Sequence, residues 1–373
     1  MTAAVTGNLF ASLLRPELAE LAAYAPTELP AISVRLDANE APKLESAAVL
    51  AAVARAVSRV PLERYPDAHA RELKSRIAQR TGARPEELLV GSGSDEIISL
   101  LATSLARPRS RNPHAVVLAP TPTFVMYRVT ARAHGLAPVE VPLDAAWDLD
   151  VRAMRRALEM MSPNIVFIAS PNNPTGNRMS EPRLRDVLDA AGEALVVLDE
   201  AYVDYAAAGS LRALRAEYPR LAILRTLSKV GLAALRVGWI EADESLVREV
   251  DKARQPFNLS ATSQAAASAV LADAWDDLRA HVATVVAERA RVTDEISALV
   301  VPAGRFAVTP SDANFVWVKT PSPAGDVYDA LARRGVLVRS FHGMGGRMAT
   351  QLRITIGRPD ENDRLLEALQ ACG

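Results

Sequence analysis

A single lysine interrupts a mostly apolar stretch of the sequence, "ILRTLSKVGLAALRVGWI", at residues 223–240. Lys229 follows Ser228, and Arg236 comes seven positions after the lysine. An amine enclosed by apolar groups loses its charge more readily than one in water, and the neutral amine is a nucleophile or base suited to Schiff-base chemistry. The neighbouring hydroxyl and guanidinium suit a phosphate group. A lysine that only reaches into solvent from a loop would explain this stretch about as well.

A carboxylate ends another apolar run, "ALVVLDEAYVDY". Asp199 stands where the run stops, and Tyr202 follows three residues later. Burying a carboxylate is costly unless a cationic group faces it. Asp199 therefore either caps the next element or keeps a ring nitrogen protonated.

Two loops add polar groups after further apolar runs. In "LLVGSGSDEII", Gly91 and Gly93 permit a tight turn before a helix that begins near Ser94, where free amides would bind a phosphate. Helix capping by the same polar residues is the simpler explanation. In "FIASPNNPTGN", two adjacent asparagines between prolines indicate a rigid loop that presents an amide side chain, although a surface turn has the same composition.

The elements that would position these residues follow a regular alternation. Short apolar runs, rich in β-branched residues, lie at 88–90, 115–119, 164–170, 194–199, 221–226 and 237–242. Between them lie segments with apolar residues at three- and four-residue spacing, which is typical of helices. This pattern predicts an α/β protein with a mostly parallel sheet between helices, and ligands of such sheets gather beyond the carboxyl ends of the strands.

The pattern changes near residue 243, where alanine-rich helical stretches lead into shorter strands at "NFVWVK" and "QLRITIG". We predict a large α/β domain over residues 45–245, with a mostly parallel central sheet flanked by helices. A smaller α+β domain is expected to combine residues 1–44 and 246–373. The length of 373 residues agrees with two domains.

Composition limits the classes of function. A formal net charge of −1 provides no long-range electrostatic attraction for nucleic acid. The sequence contains no run of eighteen apolar residues, so no membrane span is expected. Cys372 is the only cysteine, so a disulfide within the chain is excluded and a cytoplasmic location is expected. The five histidines lack metal-ligand spacing, so no metal site is expected.

Taken in sequence order, these candidates resemble the fold type I pyridoxal-phosphate aminotransferases, and within that family the histidinol-phosphate aminotransferases. The resemblance covers nearly the whole chain, from "LDANEAP" at 36–42 and "ERYPDAHARELKSRIA" at 63–78, through "PTPTFVMY" at 120–127, to "SFHGMGGRMATQLRITIG" at 340–357. It implies pyridoxal 5'-phosphate as cofactor and a transfer reaction of histidine biosynthesis. In that reaction, histidinol phosphate and 2-oxoglutarate interconvert with imidazole acetol phosphate and glutamate.

The same resemblance implies roles around the cofactor ring. Lys229 forms the Schiff base and moves a proton between the substrate Cα and the cofactor C4′. Asp199 pairs with the pyridinium nitrogen, which makes the ring an electron sink. Asn173 and Tyr202 hydrogen-bond the phenolic oxygen, and Phe124 stacks on the ring. Lys229, Asp199 and Tyr202 are the expected catalytic residues.

The resemblance also assigns the cofactor phosphate and the oligomeric state. Ser94, Asp95, Ser228 and Arg236 are expected to bind the phosphate, with Asp95 acting chiefly through its backbone amide. Tyr65, in "RYPD", matches a tyrosine that reaches the phosphate of the neighbouring subunit. The chain is therefore expected to act as a homodimer.

Substrate recognition is assigned to two arginines and an asparagine. Arg353 matches the arginine that holds the substrate carboxylate by a planar two-point contact, and Arg339 matches the position that meets the phosphate of histidinol phosphate. Asn173 is also expected beside the substrate. The sequence departs from the family at "NEAPKLE", where Asn-Pro-Tyr-Gly is usual, so a tyrosine that commonly helps to hold the substrate phosphate is absent and Lys43 is its electrostatic substitute.

Other functions remain open on these motifs. An aromatic amino acid aminotransferase or a threonine-phosphate decarboxylase of corrin synthesis would use the same lysine and aspartate. A nucleotide-binding or dehydrogenase module would use "GSGSDE" as a poor dinucleotide turn. A regulatory domain that binds the cofactor without turnover is a further alternative, against which the lack of a basic patch counts.

Overall fold

The computed structural model of the protein describes residues 10, 12–23 and 32–372. Its strands are β1 Val34–Arg35, β2 Leu88–Ser92, β3 Val116–Thr121, β4 Ala137–Pro142, β5 Ile165–Ala169, β6 Leu195–Asp199, β7 Leu221–Thr226, β8 Val237–Glu241, β9 Val300–Val301, β10 Gly304–Arg305, β11 Ala307–Thr309, β12 Phe315–Lys319, β13 Val336–Leu337, β14 Arg339–Ser340 and β15 Gln351–Thr355. Its α-helices are α1 Ala47–Val57, α2 Arg71–Thr81, α3 Gly93–Ser104, α4 Met126–Ala133, α5 Val151–Met161, α6 Glu181–Ala190, α7 Glu244–Asp251, α8 Ala261–Asp273, α9 Trp275–Ala298, α10 Ala324–Arg333 and α11 Pro359–Gln370.

The central sheet contains seven strands of the described part of the chain, in the order β2-β8-β7-β6-β5-β3-β4. Neighbouring strands from β7 to β4 run parallel, whereas β8 runs antiparallel to both β2 and β7. The expectation of a mostly parallel sheet is therefore confirmed. Each apolar run named from the sequence forms one of its strands. The sequence did not single out β4, which lies at the sheet edge and carries Pro138 and Pro142.

Both faces of this sheet are buried, because alternate residues of each strand enter different apolar clusters. Phe167 and Val197 point to the face covered by α3, α4 and α7. Val166 and Val196 point to the opposite face, which α5 and α6 cover. Burial on both faces explains why the central strands read as continuous apolar runs and not as alternating ones.

A second sheet is formed by the later part of the chain. Its four strands are antiparallel, in the order β11-β12-β15-β14. The early strand β1 pairs in parallel with β13, so Val34 lies opposite Val336. Residues near position 34 therefore lie beside a strand of the later part of the chain.

The domain limits at 44/45 and 245/246 stay a prediction. One continuous apolar cluster contains buried residues from both sides of these limits, including Val49 and Leu73 together with Val270 and Val316. The long helical pattern over 263–300 forms two helices, α8 and α9, separated at Ala274. Helix α8 packs against α1, α2 and β8, and α9 packs against β11 and β12, so α8 and α9 together contact both sheets.

Candidate active site

A cavity of about 750 Å³ opens beyond the carboxyl ends of the central strands and reaches the strands of the smaller sheet. Eleven of the twelve site residues named from the sequence line it: Ser94, Asp95, Phe124, Asn173, Asp199, Tyr202, Ser228, Lys229, Arg236, Arg339 and Arg353. Tyr65 does not line the cavity of its own chain. The location agrees with the general rule for ligands of open parallel sheets.

Lys229 enters the cavity from an irregular helical turn, Ser228–Leu232, that directly follows β7. Gly231 in this turn has φ 101°, a conformation that side chains disfavour. The hydroxyl of Tyr205 donates to the Lys229 carbonyl at 2.5 Å and fixes the backbone. The Lys229 amine lies 5.8 Å from the ring centre of Tyr202. The lysine interrupts the apolar run because the strand has ended and the chain turns beside the cavity.

Asp199 ends β6 as a carboxylate that is only 5% exposed. Its Oδ2 accepts a hydrogen bond from the Tyr127 hydroxyl at 2.5 Å, and its Oδ1 accepts one from the Ala201 amide at 3.0 Å. Burial raises the pKa of Asp199 to about 6, although both hydrogen bonds and the charge of Lys229 act in the opposite direction. Among the described residues, no cationic side chain forms an ion pair with this carboxylate. The carboxylate thus faces the cavity without a cation in contact.

The amino end of α3 forms another wall of the cavity. Helices α1, α5, α7 and α8 each begin with a serine or aspartate whose side chain accepts from a first-turn amide. Ser92 before α3 makes no such bond, like the residues before α2, α4, α6, α9 and α10. The Glu96 carboxylate accepts a hydrogen bond from the backbone amide of Ser92 at 2.5 Å, so this carboxylate bonds the residue before the helix and not a first-turn amide. The first-turn amides of α3, including those of Ser94 and Asp95, are left for an anion.

Two glycines allow this helix start to approach its neighbours closely. A Cβ on Gly238 of β8 would lie 2.5 Å from the Ser94 nitrogen, and one on Gly93 would lie 2.5 Å from an Arg236 nitrogen. Gly93 also has φ 80°. The close contacts at the start of α3 therefore require glycine at positions 93 and 238.

A hydroxyl and a guanidinium complete this end of the cavity. The Arg236 side chain donates to Ser228 Oγ at 3.4 Å and to Asp95 Oδ2 at 3.3 Å. Thr226, which the sequence did not single out, donates from its hydroxyl to Ser228 Oγ at 3.0 Å. Arg236 precedes β8, as expected, and adopts the left-handed backbone conformation with φ 51°. Helix amides, a hydroxyl and a guanidinium together are the donor set of a phosphate site.

Arg339 and Arg353 approach from the smaller sheet as directly opposed residues of β14 and β15. Arg353 donates to Asn173 Oδ1 at 2.7 Å and to the Asp37 carbonyl at 2.5 Å. Arg339 is exposed at the cavity wall. Two guanidinium groups at neighbouring cross-strand positions suit a ligand that carries an anionic group.

The asparagines of the "PNNP" loop have different surroundings. Asn172 is buried and holds the loop together, because its side chain bonds the Pro122 carbonyl and the hydroxyls of Thr123 and Thr175. Asn173 is half-buried and lines the cavity. The second asparagine is thus the one available to a ligand.

Sequence reasoning missed two polar residues beside the predicted ones. Tyr127, whose hydroxyl bonds Asp199, is fully buried and stacks on Phe167 at 4.6 Å. Asn39 donates from its side-chain amide to the Tyr202 hydroxyl at 3.0 Å. Both lie in stretches that carry the family resemblance, but neither follows an apolar run. Residues at the ends of apolar runs were the candidates predicted from the sequence, so neither Tyr127 nor Asn39 was among them.

A further arginine joins the two sides of the cavity. Arg347, in the loop after β14, lies with its guanidinium carbon 3.7 Å from the ring centre of Trp147. It donates to the carbonyls of Asp144 and Leu143 at 2.6 and 2.9 Å, and these residues follow β4. Lys43, the expected substitute for a missing tyrosine, is exposed and does not line the cavity of its own chain.

Tyr65 lies on the surface with 82% of its area exposed. Its ring stacks on Phe257, with ring centres 4.6 Å apart. Leu62 nearby is also exposed. An exposed aromatic pair of this kind suits contact with another protein surface.

Two kinds of feature are not found in the described part of the chain. No group of three or more histidine, cysteine, aspartate or glutamate side chains is arranged to hold a metal ion there. Over the same residues, no helix combines the length and apolar character needed to cross a membrane.

Comparison with known proteins gives consistent similarities. The family model for aminotransferases of class I and II matches residues 31–369. The chain is 36% identical over 359 residues to histidinol-phosphate aminotransferase of Aquifex aeolicus, across 96% of this chain and 97% of the relative. It is 39% identical over 340 residues to that of Methylibium petroleiphilum, across 90% of this chain and 88% of the relative. The solved histidinol-phosphate aminotransferase from Sinorhizobium meliloti, in complex with pyridoxal-5'-phosphate, has a TM-score of 0.80 and 26% identity over 91% of each chain.

Proposed function

Because the chain belongs to the class I and II aminotransferase family, we propose that it transfers an amino group between histidinol phosphate and 2-oxoglutarate. The products of this direction are imidazole acetol phosphate and glutamate. The chain is an enzyme that depends on pyridoxal 5'-phosphate. Its place is in histidine biosynthesis, the pathway that its similarity to histidinol-phosphate aminotransferases indicates.

The residues of the cavity fit this cofactor. Asp199 is a buried carboxylate with a raised pKa that forms no ion pair with a cationic side chain of the described residues, and a protonated ring nitrogen would supply a cation. The uncapped start of α3, with Ser228 and Arg236, fits a phosphate. When bound, pyridoxal 5'-phosphate supplies an aldehyde that reacts with amines and a protonated ring that accepts the electron pair left at the substrate Cα.

Each side chain then has a task in the proposed reaction. Lys229 would hold the cofactor covalently through its side-chain amine, and that amine, when free, would carry the proton between the substrate Cα and the cofactor C4′. Asp199 would keep the ring nitrogen protonated, and Tyr127 and the Ala201 amide hold this carboxylate in place. Tyr202 and Asn173 would hydrogen-bond the phenolic oxygen of the cofactor, and Phe124 would cover one face of its ring.

The cofactor phosphate is assigned to Ser94, Asp95, Ser228 and Arg236, with Asp95 acting through its amide. The uncapped first turn of α3 and the contacts of Arg236 support this assignment. Gly238 supports it too, since its lack of a side chain leaves the Ser94 nitrogen accessible.

The two substrates present different anions to one pocket. Glutamate carries carboxylates, whereas histidinol phosphate carries a phosphate and no carboxylate. Arg353 is proposed to bind the carboxylate and Arg339 the substrate phosphate, with Asn173 beside the substrate. The cross-strand pairing of the two arginines supports a shared anion pocket.

The enzyme is proposed to act as a homodimer in the cytoplasm. The exposed Tyr65 of each chain would then reach the cofactor phosphate of the partner chain. Tyr65 is exposed and does not line the cavity of its own chain, and both observations support this arrangement. The cytoplasmic location is supported by the single cysteine.

The observation that carries the proposal is the arrangement of Lys229 and Asp199 in one cavity with the two opposed arginines. The test is a panel of substrates on the purified enzyme loaded with cofactor. We expect amino transfer from histidinol phosphate to 2-oxoglutarate to exceed that from phenylalanine, and no decarboxylation of threonine phosphate. Preference for phenylalanine, or release of carbon dioxide from threonine phosphate, would assign a different substrate to the same site.

Replacement of the lysine tests the chemistry itself. Lys229→Ala is expected to abolish transamination and the covalent fixation of cofactor by borohydride, while the thermal unfolding of the protein stays similar. Lys252→Ala is the matched control, because Lys252 pairs with Glu249 on the surface and does not line the cavity. Full activity of Lys229→Ala would contradict the assignment.

A further inference from the structure

Asn39 is a buried polar residue to which neither the family roles nor the proposed reaction gives a task. It is 1% exposed and has φ 55°, a left-handed conformation that asparagine tolerates better than most residues. It lies in the segment between β1 and α1, 163 residues before Tyr202 along the chain. Its side-chain amide nevertheless reaches the hydroxyl of Tyr202.

The surrounding hydrogen bonds fix which end of this amide faces Tyr202. The Asn39 backbone amide donates to Thr355 Oγ1 at 3.0 Å. The Thr355 hydroxyl in turn donates to Asn39 Oδ1 at 3.3 Å. Since Oδ1 faces Thr355, the NH₂ group must face Tyr202. Asn314 also donates to the Asn39 carbonyl, at 3.1 Å, so the residue is held at three points.

This orientation determines what the Tyr202 hydroxyl can do. A phenol has one hydrogen to donate, and its oxygen can accept. The oxygen accepts from Asn39, so the hydrogen is directed elsewhere, and Tyr202 lines the cavity. An accepted hydrogen bond also polarises the hydroxyl and strengthens it as a donor.

Packing leaves the tyrosine ring little freedom. Phe315 meets its ring edge to face, with ring centres 5.1 Å apart. The charged groups around it are Lys229, whose amine lies 5.8 Å from the ring centre, Asp199 at the end of the preceding strand, and Arg353, which lies 5.6 Å from the Phe315 ring. None of these is hydrogen-bonded to the Tyr202 hydroxyl in the described structure, where Asn39 is its partner.

We propose that Asn39 is a positioning residue that makes Tyr202 a directed hydrogen-bond donor toward the phenolic oxygen of the cofactor. The inference rests on the proposed function, because it requires the cofactor in this cavity. Asn39 acts through Tyr202 and does not itself need to touch the cofactor. The backbone and side chain of Asn39 are both hydrogen-bonded to Thr355, which lies two residues from Arg353 on β15. The strand that carries the proposed substrate arginine therefore also fixes the orientation of the hydrogen bond to Tyr202.

The test is a pH titration of the visible absorbance of the cofactor-loaded enzyme. Donation from Tyr202 stabilises negative charge on the phenolic oxygen. When that donation weakens, the proton shared between this oxygen and the Lys229 nitrogen is held more tightly, and the spectral transition moves to higher pH. We expect Asn39→Ala to move it upward by about 0.5 pH unit, or about 0.7 kcal/mol.

Asn39→Asp is the sharper variant, because aspartate keeps the size and the left-handed backbone but presents an acceptor to Tyr202. The tyrosine hydrogen is then drawn toward residue 39 and away from the cavity. The expected upward shift approaches that of Tyr202→Phe. Thr355→Val, which removes the anchor of the amide without altering Asn39, is expected to give a smaller shift in the same direction and covers the case in which the variants of Asn39 fold poorly.

A double-variant comparison separates positioning from general damage. If Asn39 acts through Tyr202, adding Asn39→Ala to Tyr202→Phe produces no further shift. Asn164→Ala is the control, since Asn164 bonds the carbonyls of Leu105 and Arg107 at the amino end of β5, away from the cavity. It is expected to lower thermal stability without moving the transition.

The outcomes are distinct. Shifts that add in the double variant, or an unchanged transition in Asn39→Asp while Tyr202→Phe moves it, would overturn the role of Asn39 and leave the proposed function intact. A wild-type protein without any visible band after incubation with pyridoxal 5'-phosphate would overturn the proposed function first.

Discussion

At the scale of single residues, the candidate site contains Asp199, a carboxylate that the fold itself buries. Its two hydrogen bonds lower its pKa, yet burial prevails and holds the pKa near 6. The ordinary value is 3.8, so the folded protein binds this proton more tightly than the unfolded chain does. The stability that this proton contributes is fully present below pH about 4 and is lost as the pH rises through about 6.

This loss of stability with rising pH gives a prediction for the cofactor-free protein. Asp199→Asn carries no charge to bury, so from pH 4 to pH 7 the variant should gain stability relative to the wild type by on the order of 2 kcal/mol. Thermal unfolding across that pH range measures the difference. Addition of pyridoxal 5'-phosphate should stabilise the wild type more than the variant, because the ring nitrogen that Asp199 is proposed to face would carry a positive charge. Turnover of the variant should fall about a hundredfold. A difference in melting temperature that does not depend on pH would contradict this account.

Arg353 is the second residue whose shape matters as much as its charge. Its guanidinium bonds Asn173 and the Asp37 carbonyl with separate nitrogens, which one ammonium group cannot reproduce. Arg353→Lys is therefore expected to raise the apparent KM for glutamate about tenfold, equivalent to about 1.4 kcal/mol. Steady-state kinetics with varied glutamate give the value. Arg291→Lys, in a surface ion-pair cluster on α9, should leave it unchanged.

At the scale of elements, the sequence predicted most of what regular patterns encode. The buried strands β5, β6 and β7 were evident because both of their faces are covered, which produces uninterrupted apolar runs. Strand β4 was missed because an edge strand tolerates prolines and polar residues. Tyr127 and Asn39 were missed for a different reason. Their importance comes from hydrogen bonds to Asp199 and Tyr202, which lie 72 and 163 residues away along the chain, and no local pattern encodes such contacts.

The contact between β8 and the start of α3 gives a prediction at this scale. A methyl group on Gly238 would overlap the Ser94 nitrogen and the Gly93 carbonyl carbon, at 2.5 and 2.6 Å, so the first turn of α3 must move. Gly238→Ala is expected to weaken the affinity for pyridoxal 5'-phosphate about tenfold or more, because these amides are its proposed phosphate ligands. Titration of the cofactor-free protein measures the dissociation constant.

A second glycine provides the control for that measurement. A Cβ on Gly192, in the connection from α6 to β6, would meet no atom within 4 Å, although its φ of 58° disfavours alanine. Gly192→Ala should lower the melting temperature without altering the dissociation constant. Equal effects of the two variants on cofactor affinity would show that the start of α3 is not the phosphate site.

At the scale of the whole molecule, the cavity is shared between two sheets of different construction. The mostly parallel sheet supplies Asp199 and the Lys229 turn at its carboxyl edge, and the antiparallel sheet supplies the two arginines. This is the fold type I arrangement that the sequence resemblance implied. Arg347, stacked on Trp147 and bonded to the loop after β4, connects the two sides. One role could not be assigned within a single chain, since Tyr65 lies on the surface outside its own cavity.

The proposed contribution of Tyr65 across a dimer can be tested by mixing two defective variants. Lys229→Ala lacks the reactive amine, and Tyr65→Ala lacks the proposed contact to the phosphate of the partner. In a mixed dimer, the cavity of the Tyr65→Ala chain keeps its own Lys229 and receives an intact Tyr65 from the other chain. One of its two sites is therefore complete, and random exchange of equal amounts should restore about a quarter of the wild-type sites. If Tyr65 served its own chain, the mixed dimer would contain no complete site. The activity of the mixture, measured at limiting cofactor, would then equal the mean of the activities of the two separate variants. That result would contradict a shared site.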